Sequence, residues 1–231
     1  MKTVILVPVK DPVRAKARMS PVLSPEERRR LASTMFEDLI CALRPLSVPV
    51  ALVTDSEDAA TIGRKLGWRV LPETVQISES ASVDEASRRL AMEGATGVLR
   101  LPADIPLART EDLRQVMDAC SGMRSAVLVP SWDRRGTNAL FRTPPDLFPS
   151  RFGPNSLVLH NQESQRVGAR LVVLENRRIA LDLDDAGDIL RFLEENYDTA
   201  TGRLMADLEF KERLADRDRA KHSHLGSARH P

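Results

Sequence analysis

The chain has 231 residues, of which 42% are hydrophobic, so it can bury a sizeable core as one large α/β domain or two small ones. Its 34 basic and 33 acidic residues leave a net charge of +1, which excludes a global electrostatic attraction to nucleic acid or to an anionic membrane. No segment has the apolar length of a signal peptide or a membrane span, and we therefore expect a cytoplasmic protein that binds neither nucleic acid nor membranes.

The first half of the chain alternates strand and helix patterns. Residues 3–9 form a continuous apolar run, which is typical of a strand buried on both faces. The sequence SPEE then predicts a helix that ends near residue 43, because Ser24 can cap it, Pro25 suits the first helical position and Glu27 completes a capping box. The elements expected next are a strand at 48–53, a helix at 58–66, a strand at 69–71, a helix that the capping box SVDE at 82–85 begins and Gly94 ends, and a strand over GVLRLP at 97–102.

The second half continues this alternation with one interruption. Residues 131–156 carry proline and glycine throughout, and they predict loops with one short strand at 139–142. The polar tail from Asp216 has no apolar period, so we expect one folded unit at 1–215 and a disordered tail at 216–231. The other expected elements are a helix at 111–120, a strand over SAVLVP at 125–130, a helix at 155–167, a strand at 170–174, a strand-like segment IALDLDD at 179–185 and a helix at 186–197.

Alternating strands and helices predict an α/β fold with a mostly parallel sheet and helices on both faces. In such sheets ligands bind beyond the carboxyl ends of the strands. Four loops should meet there: the basic loop after the first strand, PADIPL at 102–107, WDRRGTNAL at 132–140 and the end of IALDLDD. Many charged residues of the sequence therefore collect at one edge of the predicted sheet.

Three aspartates in these loops are candidates for a metal site. Asp104 follows a buried strand and lies between two prolines, so we expect it to project from the sheet edge as an exposed carboxylate. Asp182 and Asp184 are two residues apart on a predicted strand, which places both on one face. Carboxylates from two strand ends suit Mg²⁺, which takes one or two of them plus waters and substrate phosphates. The alternative is that Asp104 caps a turn and that the other two aspartates are solvated.

The loop after the first strand, in the sequence VPVKDPVRAKARMSP at 7–21, contains four cations and no glycine. Lys10, Arg14, Lys16 and Arg18 lie within nine residues, where this fold class binds nucleotide phosphates. Because the chain has no GxGxxG or GxxxxGK[ST] motif, side chains rather than a glycine-rich backbone would hold a phosphate. Lysine as a movable charge and arginine as a planar fork both suit polyphosphate oxygens. The alternative is a solvated surface loop.

Two glycine-containing segments, RRGTNAL at 134–140 and RFGPNS at 151–156, complete the candidate site. Gly136 and Gly153 allow the backbone to approach a ligand closely, and Thr137 offers a hydroxyl group. Ser156 or Asn155 can cap the following helix, whose N-terminus favours an anion. An ordinary turn and an ordinary helix cap remain the alternative interpretation.

The order of these motifs resembles the 2-phospho-L-lactate guanylyltransferase family of coenzyme F-420 biosynthesis. The resemblance spans about residues 4–193, and it rests on PVKDPVRAKARM, LSPEERRRLA, TDSED, LPADIPL, DRRGTNALF, LFPSRFGPNS and ALDLDDAGDI. It implies a single GT-A-like nucleotidyltransferase domain that uses GTP and Mg²⁺. The acceptor that it implies is phosphoenolpyruvate, 2-phospho-L-lactate or 3-phosphoglycerate.

The resemblance also assigns roles to individual residues. The phosphoacid-binding residues of the family match, by position, Thr137, Gly153 and Ser156. Its metal-site aspartates match Asp104, Asp182 and Asp184. The transfer of a nucleotidyl group needs charge neutralisation more than a protein nucleophile. We therefore assign this neutralisation of the triphosphate and of the leaving pyrophosphate to three catalytic cations, Lys10, Lys16 and Arg18.

Two segments differ from the family pattern and leave the base and the acceptor open. The family usually has a Leu-Asn pair near the base before the third helix, whereas this chain has QISESASVDEASRRL at 76–90. Arg134 and Arg135 replace the first Gly-Thr of the family's GTGTNAL hairpin. Two other functions therefore stay open: a nucleotidyltransferase for another acceptor, such as a sugar phosphate or pterin phosphate, and a non-catalytic nucleotide-binding relative. The sequence also leaves open whether the chain forms a homodimer.

Overall fold

The computed structural model describes residues 2–10, 16–73, 78–195 and 198–226. Its strands are β1 (Thr3–Val9), β2 (Val50–Thr54), β3 (Arg69–Pro72), β4 (Gly97–Arg100), β5 (Ser125–Pro130), β6 (Thr137–Thr143) and β7 (Arg170–Val173). Its helices are α1 (Pro25–Leu43), α2 (Glu57–Lys65), α3 (Glu79–Met92), α4 (Thr110–Asp118), α5 (Ser156–Arg166), α6 (Arg177–Ala180), α7 (Ala186–Glu194), α8 (Ala200–Asp207) and α9 (Phe210–Gly226). A short 3-10 helix covers Ala17–Met19.

These strands form one sheet in the order β3-β2-β1-β4-β6-β5-β7. Neighbouring strands pair in parallel, except that β6 is antiparallel to both β4 and β5. Residues 131–136 between β5 and β6 are too few for the crossover that a parallel pair requires. Because β6 runs in the opposite direction, its first residues lie at the edge where the parallel strands end. The prediction of a mostly parallel sheet is confirmed.

Helices cover both faces of the sheet, as the sequence predicted. Side chains of β1 alternate, so Ile5 and Val7 pack against residues of α1, α2 and α4. Val4 and Leu6 point to the opposite face, where they pack against α3. A further cluster joins α1 to α7, α8 and α9. The central strands are thus buried on both faces, and they hold the loops at their carboxyl ends in fixed positions.

The N-terminus of α3 differs from the prediction. The N-cap is Ser78, whose Oγ accepts a hydrogen bond from the Ala81 N–H at 3.1 Å. Ser82 lies one turn inside the helix, where its hydroxyl donates to the Ser78 carbonyl oxygen at 2.9 Å. The prediction that SVDE begins this helix is wrong, because the helix begins one turn earlier and the Ser82 backbone N–H already donates to the Ser78 carbonyl oxygen at 3.1 Å. In α1, by contrast, the capping box of Ser24 and Glu27 is confirmed.

The segment IALDLDD is not a strand, which corrects the prediction for Asp182 and Asp184. Its first two residues end α6, and the rest is irregular and lies beside the loop of Asp104, with the Leu183 N–H donating to the Asp104 carbonyl oxygen at 3.1 Å. The predicted alternation still holds, since Leu181 and Leu183 are buried while both aspartates line a cavity.

The C-terminal part of the described chain is helical. Helices α8 and α9, which the sequence analysis did not predict, pack Leu204 and Phe210 into the cluster shared with α1. Helix α9 covers Asp216 to Gly226, where the sequence predicted disorder, and residues 227–231 lie outside the described part. Within the described residues, no helix combines the length and the hydropathy needed to cross a membrane.

Candidate active site

The loops at the carboxyl ends of the parallel strands line two adjoining cavities. The first has a volume of about 390 Å³ and is lined by the end of β1 together with α1 and α2. We call it the apolar cavity, because Val9, Phe36 and Ile62 contribute to its wall. Cavities of this size hold small-molecule ligands in many proteins.

The second cavity has a volume of about 530 Å³ and is lined by the β5–β6 connection, the loop before α5 and the segment before α7. We call it the polar cavity, because hydroxyl, carboxylate and guanidinium groups predominate in its wall. Residues common to both walls are Glu79, Arg100, Pro102, Asp104 and Asp184. The sequence analysis gave nine residues a role with the metal, the acceptor or the triphosphate, and all nine line one or both cavities: Lys10, Lys16, Arg18, Asp104, Thr137, Gly153, Ser156, Asp182 and Asp184.

Lys16 bridges two of the predicted metal-site aspartates. Its Nζ donates to Asp104 Oδ2 at 2.6 Å and to Asp184 Oδ1 at 2.7 Å, and its side chain is 6% exposed. Burial disfavours the ammonium ion, but the charges of the two aspartates outweigh burial and raise the pKa of Lys16 above its ordinary value. Lys16 is therefore a fixed cation at the point where the cavities meet.

Asp104 and Asp182 differ in how strongly their carboxyl groups hold a proton. Burial opposes the charge of Asp104, but Lys16 and then Arg100 outweigh it and hold the pKa of Asp104 below its ordinary value. Burial and, next, the charge of Asp104 raise the pKa of Asp182 to about 6. Asn138 Nδ2 partly opposes this rise by donating to Asp182 Oδ1 at 3.0 Å. Lys16 thus does not fully neutralise the aspartate cluster.

The surroundings of Asp104 fit a cation ligand, although they differ from the prediction of an exposed carboxylate. Its side chain is 27% exposed, and its Oδ1 is buried without a hydrogen-bond partner among the residues that the structure describes. The same residues include no group of three or more His, Cys, Asp or Glu side chains arranged to hold a metal ion. A metal ion here would therefore need further oxygens from a substrate, as Mg²⁺ commonly takes from phosphates.

The basic residues of the first loop are divided between the cavities. Lys10 and Lys16 line the apolar cavity, whereas Arg18 lines the polar cavity. Lys10 and Arg18 are exposed, so their charges can reach a ligand without breaking a buried contact. Arg14 belongs to residues 11–15, which lie outside the described part of the chain.

Thr137 and Ser156 are hydrogen-bonded to each other in the wall of the polar cavity. Ser156 Oγ donates to Thr137 Oγ1 at 3.1 Å, and His160 Nδ1 lies 3.0 Å from the same oxygen. The predicted side-chain cap of α5 is wrong: the N-cap Asn155 makes no such bond within the described residues, and Ser156 bonds to Thr137 instead. Gly153, with a φ of 118° that favours glycine, forms part of the turn before α5.

The β5–β6 connection is held by contacts within the protein. The Gly136 N–H donates to Ser131 Oγ at 2.7 Å, and an added Cβ would lie 2.8 Å from that oxygen. Gly136 is therefore needed for close packing on Ser131, whereas the sequence predicted a close approach to a ligand. Arg134 pairs with Glu175 at the surface, whereas the adjacent Arg135 lines the polar cavity.

Arg100 is a site residue that the sequence analysis missed. It is 5% exposed, its guanidinium pairs with Glu79, and Nη1 donates to the Asn138 carbonyl oxygen at 3.2 Å. The guanidinium carbon lies 4.1 Å from the ring centre of Phe152, and Nε has no hydrogen-bond partner within the described residues. The available signal was an arginine inside the apolar strand pattern GVLRLP.

The beginning of α3 holds the loop before α5. The Phe152 N–H donates to Ser80 Oγ at 2.8 Å, and the Ser150 N–H donates to Asp84 Oδ2 at 3.0 Å. Arg142 Nη1 donates to Asp84 Oδ1 at 3.1 Å. Ser80 and Asp84 belong to the segment 76–90 that differs from the family pattern; residues 76 and 77 lie outside the described part. The segment, expected near the base, therefore also supports the wall of the polar cavity.

A protein-family model matches the sequence along nearly the whole chain. The model described as Guanylyl transferase CofC like matches residues 3–223. The chain belongs to this family. The resemblance that the sequence motifs indicated is thereby confirmed, and the CofC-like chain is an enzyme of the nucleotidyltransferase class.

Relatives of this CofC-like chain cover most of its length. A phosphoenolpyruvate guanylyltransferase from Rubrobacter xylanophilus is 36% identical over 193 residues, which cover 83% of this chain and 93% of the relative. A 3-phospho-D-glycerate guanylyltransferase from Colwellia psychrerythraea is 30% identical and covers 82% of this chain and 90% of its own. A 2-phospho-L-lactate guanylyltransferase from Methanothermobacter thermautotrophicus is 29% identical, and the match covers 91% of this chain and 92% of the relative.

Solved structures with low sequence identity share the fold. A protein described as a nucleotide-diphospho-sugar transferase, from Desulfovibrio desulfuricans G20, has a TM-score of 0.77 at 16% identity and covers 90% of this chain and 95% of its own. A nucleotidyl transferase from Methanothermobacter has a TM-score of 0.60 at 17% identity, and the match covers 84% of this chain and 97% of that structure. The predicted GT-A-like nucleotidyltransferase fold in a single domain is therefore confirmed.

Proposed function

We propose that this CofC-like enzyme transfers GMP from GTP to a small phosphorylated acid, with release of pyrophosphate, in coenzyme F-420 biosynthesis. The proposed acceptors are those in the relatives' names: phosphoenolpyruvate, 2-phospho-L-lactate and 3-phosphoglycerate. One observation carries the proposal. An apolar cavity and a polar cavity meet at Asp104 and Asp184, so two ligands bound there would face each other across a shared carboxylate wall.

The apolar cavity suits the nucleotide. Val9, Phe36 and Ile62 offer the apolar and aromatic surface on which a purine base can lie. Lys10 and Lys16 line the same cavity, and they would neutralise the triphosphate beside the base. This arrangement supports the assignment of both lysines to the triphosphate.

The polar cavity suits an acceptor that carries a phosphate and a carboxylate. Thr137 and Ser156 contribute hydroxyl groups, and the N-terminus of α5 next to Gly153 favours an anion. Arg135 adds positive charge to the same wall. We propose that these groups orient the acceptor with its phosphate toward the apolar cavity. Arg18 also lines this wall, and we assign its charge to the triphosphate and the leaving pyrophosphate at the junction of the two cavities.

In the proposed reaction an oxygen of the acceptor phosphate attacks the α-phosphorus of GTP. A new P–O bond forms, the bond from the α-phosphorus to the oxygen that bridges to the β-phosphorus breaks, and pyrophosphate leaves with that electron pair. Both reactants are anions, so the enzyme must chiefly position them and neutralise their charge. Lys10, Lys16 and Arg18 would supply the neutralising side chains, and no covalent intermediate is required.

We also propose that Asp104, Asp182 and Asp184 hold a Mg²⁺ ion together with oxygens of the substrate phosphates. Two observations support this: the buried, unpaired Oδ1 of Asp104 and the aspartate charge that Lys16 alone does not neutralise. When bound, the ion would withdraw charge from the phosphates and reduce the repulsion between the reactants.

Pyrophosphate release tests the proposed function. The purified protein is incubated with MgCl₂, with GTP, ATP, CTP or UTP, and with each of the three phosphoacids in turn. We expect release with GTP and at least one phosphoacid. Release with a sugar phosphate or pterin phosphate alone would favour another nucleotidyltransferase. GTP binding without release in any combination would favour a non-catalytic relative.

Replacing Lys16 with Met should lower the free energy of unfolding by about 2 to 3 kcal/mol near neutral pH, because the aspartates would lose their buried cation. The value lies below that of a fully buried pair, since Asp184 is 46% exposed. The variant should also bind GTP about ten- to a hundredfold more weakly. Urea unfolding and calorimetric titration with GTP and Mg²⁺ measure the two effects.

Arg18→Met is the matched control for Lys16→Met. Arg18 is exposed, and the described residues give it no ion pair, so its replacement should weaken GTP binding without lowering stability. Equal stability of the two variants would contradict a structural role for the Lys16 bridge. Unchanged GTP affinity in both would show that neither side chain contacts the triphosphate.

A further inference from the structure

The buried stripe of helix α5 consists of polar residues. Ser156, His160 and Ser164 recur at four-residue spacing and are each at most 1% exposed, whereas Val158 and Leu159 are exposed. A surface helix usually buries an apolar stripe instead. The buried polar stripe begins at the polar cavity, where Ser156 contributes to the wall. It therefore calls for an explanation in terms of hydrogen bonds.

The hydrogen bonds of His160 define which ring nitrogen carries a proton. The Arg151 backbone N–H donates to Nε2 at 2.8 Å, and because a backbone N–H can only donate, Nε2 has no proton. A neutral imidazole must then carry its proton on Nδ1, which lies 3.0 Å from Thr137 Oγ1. His160 thus donates to the Thr137 hydroxyl oxygen.

The surroundings of His160 keep the ring neutral. Burial and then the positive charges of Arg142 and Arg100 lower the pKa of His160 to about 3. Arg151 also lowers the pKa of His160. Glu163 raises it, but by less than Arg142 or Arg100 lowers it. The Nδ1-protonated neutral form is therefore present throughout the physiological range.

The hydroxyl oxygen of Thr137 accepts two hydrogen bonds, so toward a ligand the hydroxyl group can only donate. Ser156 Oγ donates to Thr137 Oγ1 in addition to His160 Nδ1. A hydroxyl oxygen has two acceptor positions, and both are occupied by these donors. The Thr137 hydrogen remains for a ligand in the polar cavity, which Thr137 lines.

We infer that His160 is a positioning residue that makes Thr137 a fixed hydrogen-bond donor to an anionic oxygen of the acceptor. This inference rests on the proposed function and specifies the acceptor at one point. The ligand atom at Thr137 is a phosphate or carboxylate oxygen, which accepts and does not donate. A hydroxyl hydrogen of a ligand at the same place would find no free acceptor on Thr137 Oγ1, so the site disfavours it.

Two substitutions separate the two hydrogen bonds of His160. His160→Asn places an amide N–H near the position of Nδ1 and keeps a donor to Thr137. His160→Gln places an amide oxygen near the position of Nε2 and keeps an acceptor for the Arg151 N–H. Each variant is assayed by pyrophosphate release at saturating GTP, with phosphoenolpyruvate, or the phosphoacid that the wild type uses best, as the varied acceptor.

We expect His160→Gln to raise the KM for the acceptor about tenfold while the KM for GTP stays unchanged. His160→Asn should retain most of the acceptor affinity, as a conservative replacement that keeps the donor. An equal or larger loss in the Asn variant would overturn the inference. So would a parallel loss of affinity for GTP and for the acceptor in both variants, which is what a purely structural role predicts.

A double-mutant cycle tests whether His160 acts through Thr137. Thr137→Val removes the hydroxyl that His160 is inferred to orient, and it should itself raise the KM for the acceptor. In that background His160→Gln should cause no further rise, because the group it positions is already absent. Additive effects of the two substitutions would overturn the inference.

The wild-type protein offers a measurement that does not depend on the folding of variants. Long-range ¹H–¹⁵N correlations of the imidazole should show a proton on Nδ1 and none on Nε2, without titration from about pH 8 to about pH 5. A proton on Nε2, or a charged ring at about pH 6, would overturn the inference. Wild-type protein that releases no pyrophosphate with any acceptor would contradict the proposed function instead, and the proton position would still be measured.

Discussion

Asp104→Asn should reduce turnover about a thousandfold, equivalent to about 4 kcal/mol of transition-state stabilisation. Asp104 belongs to the wall that both cavities share, and its Oδ1 is buried without a partner among the described residues. The amide keeps the size of the side chain but removes its charge, so Mg²⁺ binding should be lost together with turnover. Steady-state pyrophosphate release and calorimetric titration with Mg²⁺ and GTP measure the two effects.

Asp133→Asn is a control of the same chemistry at the rim of the polar cavity. Asp133 is exposed and accepts hydrogen bonds from Ser131 Oγ and the Arg135 N–H, so its replacement should change turnover less than about threefold. The unfolding transition of Asp104→Asn should shift less than that of Lys16→Met, because Lys16 keeps Asp184 as a partner. Near-normal turnover in Asp104→Asn would place the metal site elsewhere.

Asp84→Ala should lower the free energy of unfolding by about 3 kcal/mol, because it leaves a buried arginine without its carboxylate. Arg142 is 2% exposed, and the hydrogen bond from its Nη1 to Asp84 belongs to a set that joins α3 to β6 and the following loop. The same variant should raise the KM for the acceptor more than the KM for GTP, since that loop leads to Gly153 and Ser156. Urea unfolding and steady-state kinetics provide the measurements.

The double variant Asp84→Ala, Arg142→Met tests the cause of that destabilisation. A buried ion pair can often be replaced by apolar side chains at little cost, whereas removal of one partner is costly. The double variant should therefore be more stable than Asp84→Ala alone. If it is less stable, the carboxylate of Asp84 acts mainly through Ser150 and not through Arg142.

The order of the elements followed from the sequence because local patterns determine it. Ser24, Pro25 and Glu27 identify the start of α1 through capping chemistry within one turn. The start of α3 could not be chosen the same way, since Ser78 and Ser82 are both plausible caps and the sequence offers a helical pattern after each of them. The antiparallel direction of β6 was available from the sequence, because residues 131–136 are too short for a parallel crossover.

Which residues line the two cavities was predictable, but the contacts between them were not. A rule about strand ends is enough to bring the nine predicted residues to one edge of the sheet. The bridge from Lys16 to Asp104 and Asp184 joins side chains 88 and 168 residues apart, and no local pattern encodes such a pairing. The expectation of an exposed Asp104 was wrong for this reason.

Arg100 and His160 were not predicted as site residues, although the sequence pattern around each of them is unusual. Arg100 interrupts an apolar strand, and a charge in such a place needs a partner, which Glu79 supplies. His160 shares a helix face with Ser156, while Val158 and Leu159 occupy the exposed face. In both cases a polar residue at a position that is usually apolar indicated a buried hydrogen-bond network.

The lining residues of the two cavities come largely from successive stretches of the chain. Residues 8–104, with Asp184, line the apolar cavity, whereas most of the polar cavity comes from residues 131–188. Under the proposed function, a change of acceptor therefore calls for substitutions chiefly within residues 131–188. The relatives' names share the guanylyl group and differ in the phosphoacid, which fits this proposed division. The same boundary, near residue 125, is the natural junction for chimeras between family members.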